Sequence, residues 1–99
     1  MRIIAVSTLK AFWEQPAHRS SQTALRAWLT IAKAARWQTP VEVKAMFNSA
    51  DLLADGRVVF DIGGNKWRIV AKVNYRHQIL YVRCVGTHAQ YDRIDAKEV

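Results

Sequence analysis

RVVFDIGGNKWRIVAKVNYRHQILYVRCVGTHAQYDRID, residues 57–95, alternates apolar and polar side chains with the period of two expected of half-buried strands. Read as three runs, it predicts an antiparallel meander. Val58, Phe60 and Ile62 share one face of the first strand, Trp67, Ile69, Ala71, Val73 and Tyr75 one face of the second, and Leu80, Val82 and Cys84 one face of the third. A two-residue turn at Gly63-Gly64 pairs Ile62 with Asn65, Phe60 with Trp67 and Val58 with Ile69; Asn65 serves that turn. A turn at Arg76-His77 pairs Val73 with Leu80 and Ala71 with Val82. Apolar meets apolar across both hairpins, and a slip of one residue would set apolar against polar.

The same pairing assigns the opposite face. It carries Arg57, Asp61, Lys66, Arg68, Lys72, Tyr81 and Arg83, with Val59, Val70 and Val85 between them. Five cations stand against one carboxylate, Asp61, which this register sets across from Lys66. A merely solvated face would mix the signs, so this one is read as a surface for an anion.

Outward from the meander, Arg2 to Val6 is a short β-branched run that suits a strand, and Ser7 caps a helix through Leu9, Phe12 and Trp13 that ends before Pro16. A second helix runs from Ser20 or Ser21 to about Trp37, with Ala24, Leu25, Trp28, Leu29, Ile31, Ala32 and Ala35 on its apolar stripe. Thr39-Pro40 starts a third, and Val41 to Phe47 makes about two turns. Asp55-Gly56 turns the chain into the meander. At the other end, after Gly86, Thr87 caps a short helix, THAQYDRID, in which His88 and Tyr91 lie on adjacent turns of one side. The expected class is α+β: N-terminal helices on one face of a small antiparallel sheet, with a short C-terminal helix, in one domain over residues 1–99.

The chain carries 15 Lys and Arg against 8 Asp and Glu, a formal charge of +7, spread along its length. Such a balance favours polyanionic partners, whether RNA, DNA, a ribosome, an anionic membrane or an acidic protein. Cys84 is the only cysteine, so no internal disulfide is possible, and its place on an apolar face reads as an inert buried thiol. MRIIAV is too short an apolar run for a secretory leader or a membrane span, so no export is expected, and the single cysteine fits the expectation of a reducing cytoplasm.

No phosphate-binding loop, dinucleotide fingerprint, zinc-ligand spacing or nucleophile elbow occurs, and the three histidines lie far apart, so neither metal nor cofactor is expected. His18 and His77 read as loop residues. His88 stands out, because histidine changes charge near neutral pH and the preceding strand carries Arg83. Tyr81 on the basic face is placed to stack on a nucleobase.

Three motifs, Phe60-x-Ile62-x-Gly64-Asn65-Lys66-aromatic-Arg68, Tyr81-Val82-Arg83 and Thr87-His88-x-x-Tyr91-Asp92, resemble the HigB-type toxins of type II toxin–antitoxin systems, within the wider RelE-like group. Leu25-x-x-Trp28, Lys44-x-x-Phe47 and Ser49-x-Asp51 extend the likeness over nearly the whole chain. The resemblance implies a small α/β toxin that cleaves messenger RNA, often on the ribosome. It also implies a neutralising antitoxin, HigA-like with a helix-turn-helix, whose complex with the toxin binds operator DNA through the antitoxin. RelE-like toxins vary in which side chains do the acid–base work, so no fixed catalytic set carries over.

The expectation is therefore a metal-independent endoribonuclease in which the ribose 2′-hydroxyl attacks the adjacent phosphate. His88 and Tyr91 are expected to move protons or stack a base, and Arg68 and Arg83 to stabilise the phosphorane. Lys66, Lys72, Arg57 and Tyr81 would hold the flanking RNA. Two other readings use the same residues: a non-catalytic RNA- or ribosome-binding module that blocks translation by occupancy, and a domain whose basic face docks an acidic protein.

Overall fold

Phe60 shows why the strands lie where they do. Its ring is fully buried, with Trp28 and Phe47 edge-on at 5.2 Å and Trp37 stacked at 6.3 Å, so one strand residue gathers the second helix and the segment after it. Burying one such side chain stabilises the fold by about 1.5–3 kcal/mol. The computed structural model describes residues 1–64, 66–97 and 99.

In chain order the elements are β1 (Arg2–Ile4), α1 (Val6–Trp13), a 3₁₀ segment (Pro16–Ser21), α2 (Gln22–Ala34), α3 (Pro40–Met46), β2 (Asp51–Leu52), a second 3₁₀ segment (Ala54–Gly56), β3 (Arg57–Ile62), β4 (Trp67–Asn74), β5 (Ile79–Thr87) and α4 (His88–Tyr91). The strands form one sheet in the order β1-β5-β4-β3-β2. The predicted meander is β3-β4-β5. Two additions flank it: the two-residue β2 pairs antiparallel with β3, and β1 pairs parallel with β5, which makes the sheet mixed rather than wholly antiparallel. Helices pack on one face, as expected, through Leu9, Phe12 and Trp13 of α1, Leu25, Trp28 and Ala32 of α2, and Val43 of α3.

The second helix stops at Ala34, three residues before its expected end, and Trp37 packs into the core from outside it. The third starts as its sequence dictates. Thr39 Oγ1 accepts from the Glu42 amide at 3.4 Å and Glu42 Oε2 accepts from the Gln38 amide at 3.0 Å, with Pro40 at the first helical position.

The β3–β4 hairpin departs from the expected register. Ile62 pairs with Trp67, Phe60 with Ile69 and Val58 with Ala71, so the loop spans residues 63–66 rather than two glycines. A shift of two keeps every side chain on its expected face, which is why the alternation read correctly while the partners did not. The shift sets Asp61 across from Arg68 instead of Lys66. Gly63, at φ +64, begins the loop, and a Cβ there would lie 2.5 Å from the Trp67 ring. Asn65, given the turn in the sequence reading, lies outside the described residues.

In β4–β5 the expected pairs Val73–Leu80 and Ala71–Val82 are present, but an irregularity follows: Val70 pairs with Cys84 and Ile69 with Val85. One extra residue on β5 is a β-bulge, and it exchanges the faces beyond it. Cys84 therefore packs with Val59 and Val70 on the far side of the sheet, and Val85 joins the helix-side core, the reverse of the expected assignment.

Nor is that far face open. Ala96 packs on Val59 and Val70, both fully buried, so it lies over the middle of the sheet. Arg57 Nη2 and Arg83 Nε each donate to the Val99 main-chain oxygen at 3.3 Å. Among the described residues, no helix is long and apolar enough to cross a membrane.

Candidate functional site

The C-terminal end of β5 and the start of β4 meet where α4 begins. Thr87 Oγ1 accepts from the Gln90 amide at 3.2 Å and Gln90 Oε1 accepts from the Thr87 amide at 2.9 Å, a capping box that starts a helix of four residues. Gly86 makes room for it, since a Cβ there would lie 3.0 Å from Gln90 Oε1. The His88 amide donates to the Lys66 carbonyl at 3.3 Å, which ties the new helix to the β3–β4 loop.

This fixes three of the predicted side chains at one end of the sheet. Arg68, opposite Gly86 in the register, lies 4.7 Å from the centre of the Tyr91 ring, and its Nε forms an ion pair with Asp61 Oδ1 at 3.0 Å. Both side chains of that pair are largely covered, at 15% and 19% exposure. Held between a carboxylate and an aromatic face, the guanidinium is pre-oriented. His88 leads the same helix, half-exposed, with Nδ1 3.3 Å from Asp92 Oδ2. An Nδ1–H donated to a carboxylate fixes the tautomer and leaves Nε2 as the nitrogen able to take a proton.

Beside them lies a cavity of about 300 Å³ lined by Arg68, Tyr91, Gln90, Cys84, Phe12 and Ile94, among others. Neither His88 nor Arg83 lines it. Burial pushes the Cys84 thiol up from its ordinary pKa, against a smaller opposing effect from a hydrogen bond with the Val70 backbone. Cys84 is partly rather than fully buried, and on the other face from the one expected of it.

The remaining predicted residues sit elsewhere. Lys72, Tyr81 and Arg83 line a second, larger groove of about 660 Å³ at the opposite end of the same face, together with Arg76 and Tyr75. Burial raises the pKa of the Tyr75 phenol there, and its hydroxyl has no hydrogen-bond partner among the described residues. Arg57 is mostly covered beneath Val99, and Lys66 is exposed on the hairpin loop, its ammonium 5.9 Å from the Trp67 ring centre. Arg68, Tyr91, His88 and Lys66 are thus brought to one end and Lys72 and Tyr81 to the other, where Arg57 stands across from Lys72; Arg83 lies between, at the β5 bulge, and shares the Val99 oxygen with Arg57.

Two functional candidates escaped the sequence reading. Asp92 stands four residues after His88, a spacing that signals contact on a helix. Asp61 pairs with Arg68 only in the register that a four-residue loop imposes, which no local pattern announces. Among the described residues, no three His, Cys, Asp or Glu side chains gather as a metal would need.

Comparison with known proteins gives this geometry a context. A family profile described as the RelE-like toxic component of a toxin–antitoxin system, HigB toxin, matches residues 21–94. The mRNA interferase toxin HigB of Escherichia coli strain K12 is 39% identical over 95 residues, covering 93% of this chain and 88% of the relative. The mRNA interferase HigB of Shigella flexneri matches to the same degree, and one from Escherichia coli O6:H1 is 28% identical over 89 residues, 86% of each chain. With most of its length matched by the profile and nearly all of it by these relatives, the chain belongs to the HigB family of RelE-like toxins of toxin–antitoxin systems.

Proposed function

We propose that this protein is the toxin of a type II toxin–antitoxin pair and an endoribonuclease that cuts messenger RNA, engaged on the ribosome, in the cytoplasm. The observation that carries the reading is the cluster at the α4 end of the sheet: a guanidinium held by Asp61 and Tyr91, beside an imidazole held by Asp92. Cleavage through the 2′-hydroxyl needs a base, an acid and a cation, and no metal. His88 Nε2 takes the proton from the 2′-oxygen as that oxygen attacks the adjacent phosphorus. Arg68 neutralises the equatorial oxygens of the phosphorane. Tyr91 protonates the departing 5′-oxygen or stacks on the neighbouring base. The products are a 2′,3′-cyclic phosphate and a free 5′-hydroxyl.

Arg83 takes a different role from the one expected of it. In the far groove, with Lys72 and Tyr81, it binds the flanking strand, and Lys66 holds phosphate near the cut. Arg57 reaches RNA only if the chain around Val99 moves. The partner that silences the toxin is a HigA-like helix-turn-helix antitoxin, and operator DNA is bound by the pair through that antitoxin.

The test is codon-level cleavage of message on purified ribosomes by wild type and by His88→Ala, Tyr91→Ala and Arg68→Ala. Loss of activity in these variants supports the site; full activity in all three removes it. Inhibition of translation without new message ends would favour blockage by occupancy instead.

A further inference from the structure

The helix side of the molecule carries positive charge that the cutting centre does not use. Residues 15–41 contain no Asp or Glu, yet include Arg19, Arg26, Lys33 and Arg36. Leu25, Trp28 and Ala32 turn the apolar side of α2 into the core, which leaves Arg26 and Lys33, seven residues apart, on its outward side, separated by about 10 Å. At the C-terminal end of α2 a cavity of about 400 Å³ is lined by Arg2, Lys33 and Arg36 with Met1 and Gln78. None of these three cations forms an ion pair with a described carboxylate.

A helix C-terminus ordinarily carries about half a negative charge, which would repel an anion. Here it is cancelled. The Met1 amino group donates to the Ala32, Lys33 and Ala35 carbonyls at 3.1, 2.9 and 2.6 Å. Burial, and to a lesser degree repulsion from Arg36, lower the pKa of that amine, and with Arg2, Lys33 and Arg36 it lines one cavity, so like charges are gathered there. An incoming phosphate would relieve that crowding. The outward side of α2 offers Ile31 as its one large exposed apolar side chain, too little for the apolar centre of a protein interface.

We infer that the cavity of Arg2, Lys33 and Arg36, continued along α2 by Arg26, is a second RNA-backbone site, which grips structured ribosomal RNA rather than the strand being cut. It rests on the reading of the chain as a toxin acting on ribosome-bound message. Gln78 and His88 flank opposite ends of β5, so the site lies about 30 Å from the cutting centre along the strand. A tetranucleotide, spanning roughly 14 Å when stacked, cannot occupy both.

The experiment measures binding of Arg2→Gln/Lys33→Gln/Arg36→Gln to purified 70S ribosomes by co-sedimentation between about 50 and 200 mM salt, beside a 2′-O-methyl tetranucleotide that cannot be cut. Ribosome affinity is expected to fall about tenfold or more, with the log–log salt slope shallower by about two to three, while tetranucleotide affinity stays at the wild-type value. Arg2→Lys/Lys33→Arg/Arg36→Lys is expected to bind ribosomes as wild type does, which separates charge from misfolding, and a thermal melt of the glutamine variant checks its fold. Unchanged ribosome affinity and slope overturn the inference, as does a loss confined to antitoxin binding. Wild-type protein that cuts no message would sink the functional reading and leave the binding result intact.

Discussion

Replacing Arg68 by alanine separates what the guanidinium does for the fold from what it does for the reaction. Its partner Asp61 is only 19% exposed, so removing the cation strands a mostly covered carboxylate, at a cost of about 2–3 kcal/mol. The lost contact with the Tyr91 ring adds about 0.5–1 kcal/mol. For a protein of this length, with about 4–8 °C of Tm per kcal/mol, the melting temperature should drop on the order of 10–30 °C. Asp61→Ala/Arg68→Ala removes the stranded charge and should regain at least about half of that loss, since the two residues form one coupled pair. Cleavage behaves differently: losing a preorganised donor to the phosphorane lowers kcat about 10²–10³-fold in both variants. Calorimetry and single-turnover cleavage read the two effects. A double variant that regains cleavage along with stability would show Arg68 to be structural, and the assignment would be wrong.

Three further outcomes follow from the coordinates. Gly63→Ala should destabilise more than Gly64→Ala: both glycines have positive φ, at about 1 kcal/mol each, but only at Gly63 does the new methyl meet the Trp67 ring, at 2.5 Å, and thermal melts rank them. Because burial raises the Cys84 thiol, the folded state prefers it protonated; that stability is complete below the ordinary value of 9.0 and is lost as pH rises beyond it. Melting should therefore fall more steeply above that pH in wild type than in Cys84→Ala, and parallel curves would refute the raised thiol. Arg83→Ala should raise KM with little change in kcat, opposite to Arg68→Ala, because Arg83 lines the far groove; an equal loss of kcat would return Arg83 to the reacting phosphate.

What the sequence disclosed follows the range of each signal. Alternation from Arg57 to Thr87 reports which face a side chain takes, and for β3, β4 and the first half of β5 it read correctly. It does not report loop length, since a shift of two leaves the pattern intact, so the Asp61–Arg68 pair stayed hidden. Nor does it announce a bulge, and Cys84 and Val85 were exchanged for that reason. Capping chemistry is local, and Thr39 and Thr87 were legible because all the partners lie within three residues. The covering of the far face by Ala96 is long-range packing, which periodicity does not carry.

The central claim is that the α4 end of this sheet breaks RNA by in-line attack of the 2′-oxygen. Message carrying a single 2′-deoxy nucleotide at the cut position, presented on ribosomes to the wild-type protein, tests it most directly. The account predicts that the substituted site stays whole while the all-ribose message yields a 2′,3′-cyclic phosphate and a 5′-hydroxyl. Cleavage at the deoxy position, or product ends carrying a 5′-phosphate, would contradict it.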